Sequence, residues 1–135
     1  MAYTINQTIN FAAQPAEIYD ILTDEALHAE ITGEPADINP EVGGEFSSFG
    51  GWATGTFTEL VENEKIVQTW HSSDWDTGEL STLTFVLEPQ ADGTTNLIME
   101  HAGIPDSDEG IAGGWEEYYW QPMREWFAKL AIDGK

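Results

Sequence analysis

Three histidines, His28, His71 and His101, are the side chains of this 135-residue chain that titrate most readily near neutrality. His71 and His101 each close a stretch with strand-like alternation, and Glu100 precedes His101. An interior histidine helped by Tyr118, Tyr119 or Glu100 would supply acid–base chemistry to a bound substrate. Neighbouring strand residues point to opposite faces, so Glu100 and His101 are not expected to work as a pair. For His71 and His101 a surface or rim position is the simpler expectation. Other chemistries lack their residues. Without Cys there is no disulfide, thiolate nucleophile or thiolate metal site. His28-Ala29-Glu30 has none of the familiar zinc spacings. No Gly-x-Ser-x-Gly occurs, and neither Gly43-Gly44 nor Gly50-Gly51 leads into Lys-Ser/Thr. Asp74 with Asp76, and Asp106 with Asp108, lack the closing Glu of a calcium loop and read as solvated loop or helix-start charges. Neither metal nor cofactor is expected, and a binding role is favoured over an enzymatic one.

Aromatic residues carry the stronger signal. Six Trp, six Phe and four Tyr sit in one short chain. A cavity lined by such rings would hold a flat or apolar ligand by contact area and stacking. The alternative is that the rings fill the core. The expected lining is Trp52, Trp70, Phe85, Trp115, Tyr118, Tyr119, Met123 and Trp126, with His71, His101 and Glu100 as its candidate polar groups.

Charge bounds the partners. Asp and Glu number 25 against 4 Lys and Arg, a formal net charge of −21. That balance opposes binding to nucleic acid, which relies on clustered Lys and Arg. It equally opposes docking on an anionic membrane. With 41% hydrophobic residues the chain is too apolar for an acidic disordered tail. A Lys-poor, carboxylate-rich surface suits concentrated salt, where screening lengths fall to about 3 Å at 1 M. A partner with a basic surface is the alternative. The N-terminus shows no basic start or apolar stretch, so a cytoplasmic location is expected.

The elements that must position these residues follow from periodicity. Tyr3–Asn10 alternates as a strand. Pro15 opens a helix with Ile18, Ile21 and Leu22 at helical spacing. Thr23 or Asp24 caps a second short helix carrying Leu27 and Ile31, and Gly33 stops it. From Pro35 to His101 the pattern is strands separated by Gly-rich or acidic turns, an antiparallel meander. Residues 115–130 read as a long helix with Trp115, Tyr119, Met123 (or Pro122), Trp126 and Leu130 on one stripe. Pro122 is predicted to kink it. A single domain spanning 1–135 is expected.

Specific pieces then add up. Gly55–Trp70 (GTFTELVENEKIVQTW), Pro40–Phe46, Ser73-Asp74-Trp75, Ser81–Phe85 and Gly113–Trp120 occur in order along the chain. Together they resemble the SRPBCC (START-like) superfamily, and within it the C-terminal-type domain of activators of heat-shock protein 90 ATPase. The resemblance implies an α+β helix-grip fold, a curved antiparallel sheet wrapped around a long C-terminal helix. It also implies an apolar cavity between them that holds a hydrophobic small molecule. A chaperone- or ATPase-interacting regulatory module, and a cyclase- or hydratase-like enzyme using cavity His, Tyr or Glu, are the alternatives it carries.

Overall fold

Local signals explain most of the elements in the computed structural model, which describes residues 2–75, 79–105, 108 and 110–133. Asp76, Asp106 and Glu109 lie outside them. Strand β1 (Ala2–Phe11) leads into α1 (Pro15–Thr23) and α2 (Glu25–Thr32). Pro15 takes the first turn of α1, where its missing N–H costs nothing. The Gln14 N–H donates to the Glu17 carboxylate, 2.9 Å. Asp24 caps α2 by accepting from the Leu27 N–H, 3.0 Å, and Gly33 ends it at φ 77°. Six strands follow: β2 (Ala36–Ile38), β3 (Glu45–Ser48), β4 (Ala53–Val61), β5 (Lys65–Ser72), β6 (Ser81–Pro89) and β7 (Thr95–Pro105).

These strands form one antiparallel seven-stranded sheet in the order β1-β7-β6-β5-β4-β3-β2. The first strand therefore joins the last, and the meander fills the rest. Along β5 half-buried and buried residues alternate without a break, placing Ile66, Gln68, Trp70 and Ser72 inward. Phe57, Leu83, Phe85, Leu97 and Met99 extend the same face. Against it pack Ile18, Ile21 and Leu22 of α1 and the C-terminal helix. The sheet bulges between Phe57 and Glu59, where one extra residue increases local twist.

The C-terminal helix departs from a single period. It runs as α3 (Ile111–Trp115), a wide π-type turn (Glu116–Trp120) and α4 (Gln121–Asp133). The Gln121 N–H donates to the Glu116 carbonyl, five residues back, just before Pro122. Pro122 lacks an N–H and crowds the preceding turn, and the wide turn falls at that point in the helix. The predicted kink thus takes the form of one extra residue in a turn. That residue corrects the expected stripe. Trp115, Tyr119, Trp120, Met123 and Phe127 are buried, while Trp126 is half-buried and Leu130 exposed.

Gly55 shows how tightly the sheet curls. A Cβ there would lie 1.9 Å from the Thr69 carbonyl oxygen and 2.5 Å from the Phe46 ring. Only glycine allows β3, β4 and β5 to approach so closely. Gly55→Ala should cost about 2 kcal/mol or more, as overpacking does. Urea unfolding at constant salt would measure it, and an unchanged midpoint would refute the steric reading.

Candidate functional site

Trp70, on the inner face of β5, is the centre of the aromatic interior. Its ring lies edge-on to Trp52 (5.5 Å), Trp75 (5.3 Å) and His101 (4.9 Å). Trp115 faces it from α3 at 6.4 Å and stacks on Trp120 at 5.5 Å and 17°. Phe85 meets the edges of both. These contacts fill the grip. Between sheet and helix, among Phe46, Phe57, Leu83 and Tyr119, the remaining space is about 20 Å³. That is room for about one water and far below the ~300–1,000 Å³ of ligand pockets.

His101 is fully buried, which corrects the rim position expected of it. The physical reason is that β7 continues to Pro105, so His101 sits within a strand rather than at its end. The Trp115 indole N–H donates to His101 Nδ1, 3.2 Å, so Nδ1 must carry a lone pair. The proton is then on Nε2, which donates to Ser81 Oγ at 2.8 Å. The Ser81 hydroxyl donates onward to the Trp70 carbonyl, 2.8 Å. Every polar atom of this chain is satisfied with a neutral imidazole, and burial lowers the His101 pKa to about 4.

His28 is the interior histidine that periodicity did not mark. Its Nε2 lies 2.9 Å from the Tyr119 phenol, which Ser48 also hydrogen-bonds. Nδ1 of His28 is buried without a protein partner. Burial lowers this histidine to about 4 and raises Tyr119.

Beside the filled grip an aromatic cleft of about 210 Å³ opens at one end. Trp70, Trp115 and Tyr119 form its floor, and Phe49, Trp52 and Tyr118 its walls, with Asp108 also lining it. Phe49 stands nearly perpendicular to Trp52 (81°) and Tyr119 (83°). Its backbone is held at φ 55°, followed by Gly50 at 67° and Gly51 at 99°. A bulky residue in that region carries strain on the order of 1 kcal/mol, which tends to persist at functional sites. Two carboxylates fix the tryptophans: Trp52 Nε1–H donates to Asp74 (2.9 Å) and Trp75 Nε1–H to Asp108 (2.7 Å).

The expected lining therefore divides. Trp52, Trp70, Trp115, Tyr118 and Tyr119 converge on the cleft, and Phe85 borders the small interior space. Met123 is fully buried in the core, and Trp126 packs half-buried against it, away from both. Glu100 points outward from β7, as strand alternation requires. His71 also faces outward, where its Nδ1–H donates to the Glu79 carbonyl at 2.6 Å. Neither is a polar group of the grip. Sequence reasoning did not mark Phe49 or Ser81, and it named His28 and Asp108 without placing them in the interior or at the cleft. Of these only Phe49 had a local signal, its place before Gly50-Gly51. Among the described residues, no group of three His, Asp or Glu comes together as a metal site would require, and no helix is long and apolar enough to cross a membrane.

A curved antiparallel sheet gripping a C-terminal helix, with short helices after the first strand, defines the helix-grip class. The profile of the activator of Hsp90 ATPase homolog 1-like proteins matches residues 12–128, and the chain belongs to that family. It is 33% identical to the human activator of 90 kDa heat shock protein ATPase homolog 1 over 125 residues, 92% of this chain and 36% of that protein. It is 36% identical to an uncharacterized Schizosaccharomyces pombe protein over 95% of this chain and 38% of that one. The chain thus spans little more than a third of these relatives. The crystal structure of an HSP90 activator from Plasmodium falciparum superimposes with TM-score 0.86 and 26% identity, covering 98% of this chain and 96% of that one.

The two buried histidines predict a pH dependence. Each is held near 4 in the fold against about 6.5 when unfolded. Between these values the unfolded chain binds more protons, so this contribution is complete above 6.5 and is lost as pH falls toward 4. Each histidine should cost on the order of 3 kcal/mol across that window. Carboxylate protonation relieves repulsion in the same range, so His101→Gln is the reference. Its denaturation curves should show a shallower acid decline than the parent; parallel declines would refute the assignment.

Proposed function

We propose that this chain is a protein-interaction module that docks on an Hsp90-class chaperone and regulates its ATPase. The observation that carries this reading is the family match across residues 12–128. The 33% identity to the human activator supports it. So does the interior, where Trp70, Phe85, Trp115 and Trp120 pack the grip as core. The acidic surface would meet basic ground on its partner at close range. We place the action in the cytoplasm, at high salt.

A second reading rests on the aromatic cleft. Six rings bordering about 210 Å³ suit a small hydrophobic ligand, though not one of the size a full helix-grip cavity would take. A cyclase- or hydratase-like reaction has less support. His101 is sealed in its hydrogen-bond chain, and His71 and Glu100 face away from the grip.

The chaperone reading is tested by adding the chain to the Hsp90-class ATPase of its own source at native salt. A severalfold rise in turnover that saturates with the chain is expected. No change in rate and no co-elution at that salt would refute it. Binding seen only in dilute buffer would also count against it, because unscreened attraction alone produces that. The high-salt reading is checked separately by thermal unfolding across a KCl series. Stability should rise with salt as 25 carboxylates are screened, and a flat series would refute it.

A further inference from the structure

We infer that the aromatic cleft binds a weakly hydrated organic cation, a quaternary ammonium or a guanidinium. The inference rests on the reading of the cleft as a ligand site and adds the charge and chemistry of its occupant. Three observations carry it.

The first is the wall. Phe49, Trp52, Trp70 and Tyr118 meet at 67–81° where they touch, so their rings enclose the space from different directions. Aromatic faces are negative and attract cations, most strongly where several surround one charge. The second is the electrostatics. Asp108 lines the cleft, and Asp74 binds the Trp52 N–H. An anion at the edge of an indole makes its face more negative. Among the described residues, no Lys or Arg lines the cleft. Asp108 is the one carboxylate among the described lining residues, and a wall made chiefly of rings disfavours a primary ammonium, which keeps its water, relative to a methylated ammonium or guanidinium, which gives it up more readily.

The third is the mouth. Gly110 and Gly114 border the cleft, and Gly114 lies within α3. A Cβ at Gly110 would meet nothing within 4 Å, and one at Gly114 only the Tyr118 ring at 3.9 Å. Alanine would fit at both, and a helical glycine costs about 1 kcal/mol relative to it. Gly110 stands at the helix N-cap, where glycine is ordinary, but at Gly114 packing gives no reason for glycine. Open access to the cleft gives one. Phe49, strained at φ 55°, is a second local cost borne at the same place.

The charge could arrive on a free quaternary ammonium or on an arginine of a partner chain, and one titration separates these sources. The 135-residue chain, in KCl sufficient to fold it, is titrated with choline, with N-acetyl-arginine amide, and with 3,3-dimethylbutan-1-ol, the uncharged carbon isostere of choline. Tryptophan fluorescence and indole N–H resonances report binding. At least one cation should saturate, with the neutral isostere about fivefold weaker or worse. Tighter choline identifies the small-molecule source, and tighter arginine amide the side-chain source. Tyr118→Leu alters an exposed wall residue, 51% accessible, and should weaken the cation about fivefold without lowering the unfolding midpoint. Gly114→Leu should block it. Equal binding of the isostere overturns the cation inference while leaving the cleft a ligand site. No saturable response, or one indifferent to both substitutions, overturns both. The chaperone reading stands or falls separately, on the ATPase.

Discussion

One chain of hydrogen bonds joins every layer of this fold. It runs from the Trp115 indole through His101 and Ser81 to the Trp70 carbonyl. Its four members sit on α3, β7, β6 and β5, so it fixes the helix start against three adjacent strands. It also fixes chemistry. The indole can only donate, so the imidazole must accept at Nδ1 and remain neutral. The chain ends on the Trp70 backbone carbonyl, and the ring of that residue packs edge-on to Trp52 and Trp75, whose N–H groups reach Asp74 and Asp108. The floor of the cleft is an extension of this buried network.

The wide turn before Pro122 decides what the grip can hold. A regular helix would have carried Trp126 and Leu130 inward and left Trp120 at the margin. The extra residue brings Tyr119 and Trp120 in together, and both rings contact Trp115. Three large side chains then occupy the space that a ligand would need. Across the same turn, Arg124 grips Glu116 with both nitrogens, at 2.7 and 2.9 Å. This exposed pair depresses the Glu116 carboxyl by hydrogen bonding and contributes little to stability. What it marks is register, since the pair is eight residues apart.

How much of this the sequence revealed depends on the range of the interaction. Pro15, Asp24 and Gly33 act within one turn, and each sits where its local chemistry requires. Trp70 is among the rings the sequence marks for the interior, and the burial alternation of β5 in the fold turns it inward. Long-range facts were hidden. His28 meets Tyr119 across 91 residues, and Ser81 meets His101 across 20, so no spacing rule connects them. The π turn lay between. Pro122 announced a defect, but whether it would bend the helix or widen it depended on the packing of Trp120, whose N–H donates to Gln7 of β1 at 2.7 Å. Cavity volume was the least legible property. It is a small difference between large volumes, and one displaced tryptophan reverses it.

The acidic surface and the aromatic cleft are linked by the range of electrostatics. At about 1 M salt a charge is screened within roughly 3 Å, so most of the net −21 is invisible to a ligand at the cleft. Only carboxylates in contact with the rings retain influence there. Asp74 and Asp108 are such groups, each within 2.9 Å of an indole nitrogen. Glu17 and Asp24 at the helix starts and Glu116 beside Arg124 act just as locally. The same screening bears on partners. A basic protein surface would be drawn weakly from a distance and held only where contacts are close, so recognition must rest on shape and rings more than on net charge. Attraction for a cation at the cleft thus depends on its rings and the carboxylates that touch them rather than on the net charge.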